Sequence, residues 1–160
     1  MGVFTPLAIR IGGIPWLPRY LRQITAIDKF LQRISGGRIS LLGLAGLPSM
    51  MLTVVGRKSG IARTTPVLTV PYQGGFLIAG SNFGGVKAPV WVLNVRAAQE
   101  ADVPVDLVVN RVAHQAVPRE IQPGPERDAI WEHMLKTWPN YAKYAVRTDR
   151  LIPVFLLDPA

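Results

Sequence analysis

The densest chemistry in this 160-residue chain lies in one short run, Gly56-Arg57-Lys58-Ser59-Gly60, followed by Arg63 and Thr64. Two glycines let a backbone turn tightly. Lys58, Arg63 and the exposed amides of such a turn can surround a phosphate, with Ser59 or Thr64 adding a hydroxyl. Arginine offers a rigid fork of donors and lysine a compact charge. The run is not a Walker A loop, because the preceding GxxxxG spacing is missing, and by itself it is also what a plain basic hairpin turn looks like. A second run, AGSNFGGVKAPVWVLNV at residues 79–95, places two glycines between a strand and a helix start. Its backbone amides, Ser81 or Asn82 suit the edge of a flat cofactor ring, and Lys87 can reach a phosphate or carboxylate. Trp91 and Asn94 lie three apart on one helical face; Trp91 as simple core is the competing reading. In the third run Trp138, Tyr141 and Tyr144 recur at i, i+3 and i+6, which gathers aromatics on one side of a helix. They can line an apolar pocket with polar rims, or pack as core.

Other chemistry is excluded by what is missing. Cysteine is absent, which removes disulfides, thiolate nucleophiles and cysteine-ligated clusters. With His114 and His133 as the imidazoles, a histidine-rich metal site is not expected. No close pair of carboxylates offers acid–base catalysis, and Asp149, beside Arg147 and Arg150, reads as an ion-pair member. An enzyme built from these residues needs a bound redox cofactor. The net charge of +8 is unevenly spread: residues 1–63 carry nine Arg or Lys against the single acid Asp28, and the remainder is balanced. Such a segment suits a phosphorylated small molecule, anionic lipid or nucleic acid, or simply a soluble surface.

The elements that must position these runs follow from periodicity and breakers. Residues 1–18 are expected to be irregular, with Gly12, Gly13, Pro15 and Pro18 as breakers. Residues 19–35 read as a helix with Ile24, Ile27, Phe30, Leu31 and Ile34 apolar and Arg19, Arg22, Lys29 and Arg33 elsewhere, ended by Gly36 and Gly37. This basic, amphipathic helix suits an anionic membrane surface or packing on its own domain. MMLTVVG, TTPVLTVPY and GFLIAGS read as strands, the last two joined by the hairpin signal QGG. Pro66 and Pro71 assign the middle segment to a sheet edge or a bulge. APVWVLNVRAAQEA reads as a helix packing Val92, Val95 and Ala98 on the sheet. Two strands turn at Asn110–Arg111, a helix covers residues 123–137, NYAKYAVRT forms a further turn or short helix, and LIPVFLL is a final strand. The fold class is α+β, mainly β: antiparallel hairpins in a closed or partly closed barrel with flanking helices. Residues 1–40 form an N-terminal extension and 41–160 the barrel domain.

The three runs, in order, resemble the deazaflavin-dependent nitroreductase family, oxidoreductases of actinobacteria and related organisms that use coenzyme F-420. The resemblance covers about residues 50–157 and rests on MLTVVGRKSGIARTTPVL, SNFGGVKAPVWVLNV and WPNYAKYAVRTDRLIPVFLL. It implies a split β-barrel of the FMN-binding, pyridoxamine-phosphate-oxidase-like type. By matching position it implies that Arg57, Lys58, Ser59 and Arg63 hold the coenzyme's phosphate and acidic tail, with Thr64 and Pro66 alongside and Lys87 helping. It sets Ser81, Asn82, Phe83, Gly84 and Gly85 against the deazaflavin, with Trp91 and Asn94 completing the groove. Leu68, Trp138, Tyr141 and Tyr144 face the substrate, and Ser81, Tyr141 or Tyr144 polarises it. The implied reaction is hydride transfer from the reduced deazaflavin to a quinone, enone or activated nitro compound. Trp138, Leu68 and Val92 stand where the family often has tyrosine; with Leu68 and Val92 the implied pocket is more apolar.

Other readings stay open at this point: FMN or haem on the same barrel, or a non-enzymatic basic membrane-surface protein. Nucleic acid is not expected, since no stacking or groove-reading element accompanies the charge. No stretch reads as a transmembrane helix or export signal, so the expected location is the cytoplasm, with peripheral contact to the inner face of the membrane through residues 1–40. A monomer is slightly favoured over a dimer.

Overall fold

The computed structural model describes residues 5–34 and 46–160. Strand β1 (Ser49–Val55) buries Met50, Leu52 and Val54 and turns Met51 and Thr53 to its other face, the alternation of a strand with one face in the core. It pairs with β2 (Ala62–Leu68) and, on its other side, with β5 (Val105–Val109). Strands β3 (Val70–Tyr72) and β4 (Gly75–Ala79) form a hairpin in which Tyr72 pairs with Gly75. Gln73 and Gly74 make its turn with φ of 48° and 85°, the double positive φ that favours glycine in two-residue hairpin loops. Asn110 and Arg111 do the same between β5 and β6 (Val112–Glu120), with φ of 50° and 70°. Strand β7 (Val154–Pro159) lies between β6 and β4.

The order in this antiparallel sheet is β2-β1-β5-β6-β7-β4-β3. Its two edge strands, β2 and β3, are joined through the single residue Thr69. Edges that lie at opposite ends of the order yet are separated by one residue require the sheet to roll into a barrel-like form. The segment expected as one edge strand is therefore two, split where pairing with β1 ends and pairing with β4 begins. Pro66 and Pro71 fall on those two edge strands, where a missing N–H is tolerated.

Five helices surround the sheet among the described residues: α1 (Thr5–Gly12), α2 (Leu21–Ile34), α3 (Val90–Glu100), α4 (Pro125–Thr137) and α5 (Asn140–Val146). Helix α1 corrects the expectation of an irregular start. Pro6 falls in its first turn, where proline is tolerated, and Gly12–Gly13 end it. Helix α2 is preceded by a 3-10 turn over Leu17–Tyr20. The stop expected at Gly36–Gly37 and the division at residue 40 lie outside the described residues.

Two apolar clusters result. One lies under α3, whose Val92 and Val95 pack with Leu52, Val54, Leu107 and Phe155. The other packs α4 and α5 through Ile130, Met134, Trp138, Tyr141 and Tyr144 against Val70, Leu77 and Val154. Each fully buried large side chain contributes about 1.5–3 kcal/mol. Helix α3 is further tied to β6: Arg96 donates two hydrogen bonds of 2.7 Å to Glu120, and the Glu120 amide donates to Gln99 Oε1 at 2.6 Å.

Candidate functional site

The turn from β1 to β2 closes on itself. The amides of Ser59 and Gly60 donate to Gly56 O at 3.1 and 2.8 Å, and the Gly56 amide donates to Ile61 O at 2.9 Å. Gly60 has φ of +66°, the left-handed conformation in which glycine carries no penalty. A Cβ on Gly56 would meet Ser59 Oγ at 2.6 Å, so this position is glycine for close approach. The Ile61 amide donates to Ser59 Oγ at 3.3 Å, which leaves the hydroxyl proton free to donate. The amides of Gly56, Ser59 and Gly60 are thus engaged in the turn's own shape, and its charged side chains are left for a ligand.

Those side chains border a groove of about 660 Å³ between β1, β2 and the start of α3, a size typical of small-molecule sites. Arg57, Lys58, Ser59 and Arg63 line one end. Leu52 and Val54 form an apolar floor, and Val90, Trp91 and Asn94 form the wall from α3. The wall is fixed to the turn by the Arg57 amide, which donates to Asn94 Oδ1 at 3.2 Å. Trp91 leans on Phe155, with ring centroids 6.1 Å apart. No acid lines this groove among the described residues, so three cations face a ligand unopposed.

Thr64 also lines the groove, with its hydroxyl 2.8 Å from that of Thr53, its cross-strand partner. Other expected residues fall elsewhere. Pro66 does not line the groove. The amides of Ser59 and Gly60, expected to be exposed, are also engaged. The Asn82 side chain, expected on a cofactor ring, donates instead to Lys87 O at 2.9 Å. Lys87 itself is exposed and does not line the groove.

Residues Ser81–Gly85 form the loop between β4 and α3. Asp149 is exposed and the expected ion pair is not formed: Arg147 and Arg150 both reach loop carbonyls instead. Arg150 Nη2 donates to Ser81 O at 2.8 Å and its Nε to Gly85 O at 3.1 Å. The structural role of Arg147 and Arg150 was not legible in the sequence, where an Arg-Thr-Asp-Arg run reads as salt bridging.

Leu68, Trp138, Tyr141 and Tyr144 do come together, but in the second apolar cluster and not along the groove. Trp138 is 5% exposed, Tyr141 3% and Tyr144 2%. Helix α1 roofs them. Tyr144 donates its hydroxyl to Gly12 O at 2.9 Å, Asn140 Nδ2 donates to Ile9 O at 2.6 Å, and Ala8 and Ile9 pack on the cluster. Burial pushes the Tyr144 phenol up to about 12, opposed by Trp138 and Arg147. Burial raises Tyr141 further. The two histidines are engaged away from the groove, His133 with Pro71 O at 3.0 Å and His114 against the Phe76 ring. No group of His, Cys, Asp or Glu suited to a metal occurs among the described residues.

Residues 21–159 match the family described as F420H(2)-dependent quinone reductase. The F420H(2)-dependent quinone reductase of Mycobacterium tuberculosis is 30% identical over 145 residues, covering 89% of this chain and 95% of that protein. A solved structure of an F420-H2 dependent reductase (FDR-A) is 33% identical, covers 69% of this chain and 94% of its own, and superimposes with a TM-score of 0.61. Another, described as a domain-swapped dimer, is 29% identical over 84% of this chain and 98% of its own, with a TM-score of 0.64. That relative's assembly leans against the monomer expected from sequence. The haem-storage protein HutZ of Vibrio cholerae, 12% identical with a TM-score of 0.53, shares the split-barrel fold alone.

Proposed function

This chain belongs to the F420H(2)-dependent quinone reductase family, and from that premise we propose that it reduces quinones with electrons from the deazaflavin coenzyme F-420. The observation that carries the reading is the groove: unopposed Arg57, Lys58 and Arg63 at one end, an apolar floor, and an indole wall. A phosphorylated, acidic tail with a flat ring fits that donor set. Lys58, Arg63 and the Ser59 hydroxyl hold the phosphate, Arg57 the acidic tail, and Trp91 with Asn94 the coenzyme side of the wall. The loop Ser81–Gly85 faces the ring through its backbone, with Lys87 reaching in from outside the groove.

When bound, the reduced deazaflavin supplies a hydride from its position 5. The protein's part is to stack the acceptor against it, exclude water and polarise the acceptor oxygen. Ser81 or a tyrosine hydroxyl supplies that polarising donor, and solvent delivers the proton that completes the hydroquinone. Leu68, Trp138, Tyr141 and Tyr144 form the acceptor side. Because Gly12 O occupies the Tyr144 hydroxyl, an acceptor reaches it only by displacing the end of α1. Enones and activated nitro compounds, which also take a hydride, are secondary acceptors. A quinone dissolves in lipid, and α2 leaves Ile27, Phe30 and Ile34 exposed on one face of a helix whose sequence is basic. That face suits peripheral contact with an anionic membrane.

The deciding experiment is a fluorescence titration with coenzyme F-420, followed by quinone reduction. A Lys58→Ala/Arg63→Ala double variant is expected to bind at least about tenfold more weakly, since each charge-assisted contact is worth roughly 1.5–3 kcal/mol. Equal affinity in the folded double variant would remove this assignment of the tail site. No binding to the wild type would remove the coenzyme.

A further inference from the structure

The loop between β4 and α3 has three consecutive residues in the left-handed region: Asn82 at φ 47°, Phe83 at 54° and Gly84 at 80°. Glycine adopts this freely and asparagine tolerates it, but a bulky aromatic does not. Such strain persists only where the surroundings over-determine it. Here two arginines do so. Arg150 bridges the carbonyls of Ser81 and Gly85, and Arg147 Nη1 reaches the carbonyl between them, Phe83 O, at 3.4 Å, while its Nη2 donates to Gly13 O at 2.5 Å and so ties the loop to the end of α1. Neither guanidinium takes part in an ion pair among the described residues, where the salt bridges are Arg96–Glu120 and Arg119–Glu126. Arg150 Nη1 is buried without a protein acceptor. A cation set against carbonyls alone, on a desolvated side of a strained loop, is a costly arrangement unless the loop's shape matters.

The shape has a chemical consequence. A trans peptide is planar, with its C=O and the following N–H on opposite sides. No cis peptide bond occurs among the described residues. With Ser81 O and Gly85 O turned toward Arg150, the amides of Asn82 and Val86 point away from it. The amides of Gly84 and Gly85 meanwhile close the loop by donating to Ser81 O at 2.9 Å and Asn82 O at 2.8 Å. The guanidinium also polarises the peptides it binds, which strengthens the donors on their far side.

We propose that Arg150, assisted by Arg147, is a positioning residue that locks the Ser81–Gly85 loop so that the Asn82 and Val86 amides are presented to the polar edge of the coenzyme ring. The inference rests on the coenzyme reading above. It adds that ring alignment is controlled from the last aromatic run of the chain, by residues that do not line the groove.

The test uses the full-length protein as wild type, Arg150→Met and Arg150→Lys. Hydrogen exchange without coenzyme reads the lock directly: the Gly84 and Gly85 amides are expected to exchange at least about tenfold faster in Arg150→Met. With coenzyme F-420 saturating, kcat for quinone reduction is expected to fall roughly 10–100-fold from misalignment, while coenzyme affinity, anchored at the tail, changes by less than about threefold. Arg150→Lys keeps the charge but lacks the planar fork whose spaced donors reach both carbonyls, so its kcat falls too; it carries the test if the methionine variant does not fold. Unchanged exchange and unchanged kcat in a folded variant overturn the positioning role and leave the coenzyme reading standing. A wild type that binds no coenzyme overturns that reading and the ring-facing half of this one, and exchange then still decides the lock.

Discussion

Tyr144 is where residue chemistry and architecture meet most closely. Its hydroxyl donates to Gly12 O, its ring stands 5.6 Å from that of Phe83, and its phenol is pushed up to about 12 by burial. An acid raised in the folded state lets the unfolded chain ionise first. The stability it contributes is therefore complete below pH 10, the ordinary tyrosine value, and is lost as pH rises toward about 12. Tyr144→Phe is expected to make the alkaline loss of stability shallower in pH-dependent melts. At neutral pH it costs about 1 kcal/mol through the lost hydrogen bond, a drop of about 2–4 °C in Tm. Gly84 is constrained on the other side of the same contact. A Cβ there would lie 2.8 Å from Tyr144 O at φ of +80°. Gly84→Ala is expected to lower stability by about 1–3 kcal/mol in denaturant unfolding, because both the backbone and the space refuse it.

Two elements decide how the groove and the aromatic cluster relate. Helix α1 seats on α5 because Gly12 and Gly13 lack side chains: a Cβ on Gly12 would meet Trp138 Cζ2 at 2.8 Å, and one on Gly13 would meet Lys143 Nζ at 2.6 Å. Gly12→Val is expected to unseat α1 while the barrel stays folded. Trp138 would then become accessible to acrylamide quenching, and limited proteolysis would cut sooner within residues 5–20. Helix α3 carries Trp91 and Asn94 to the groove and is clamped on β6 by the bidentate Arg96–Glu120 pair. Glu120→Gln removes the charge assistance and is expected to cost about 1 kcal/mol and to weaken coenzyme binding several-fold in the fluorescence titration, by loosening the wall.

At the scale of the whole molecule, the charge is concentrated in the first part of the sequence. The excess that gives +8 lies within residues 1–63, while Ile27, Phe30 and Ile34 stand exposed on α2. No helix among the described residues is long and apolar enough to cross a membrane, so the lipid contact proposed here is peripheral. Full-length protein is expected to float with anionic vesicles at low salt, to release as salt screens the contact, and to lose flotation in Phe30→Ser/Ile34→Ser. Equal flotation of that variant would end the proposal. Point substitutions are the right tool because truncation would also strip α1 from the aromatic cluster.

What the sequence determined by itself was local. Hairpin turns at Gln73–Gly74 and Asn110–Arg111, the helix over the APVWVLN run and the cationic turn at Gly56–Gly60 were legible, since each is fixed by neighbouring residues. Only the tertiary structure decided which side chains meet. The Thr64 hydroxyl meets that of Thr53 because strand register pairs the two residues. Trp138, Tyr141 and Tyr144 became a roofed cluster because α1, some 130 residues earlier, supplies the carbonyls that α5 donates to. Arg147 and Arg150 became loop anchors, not partners of Asp149, for the same reason. Backbone carbonyls carry no sequence signal, so a side chain that binds them across the fold cannot be read until the chain has brought them together.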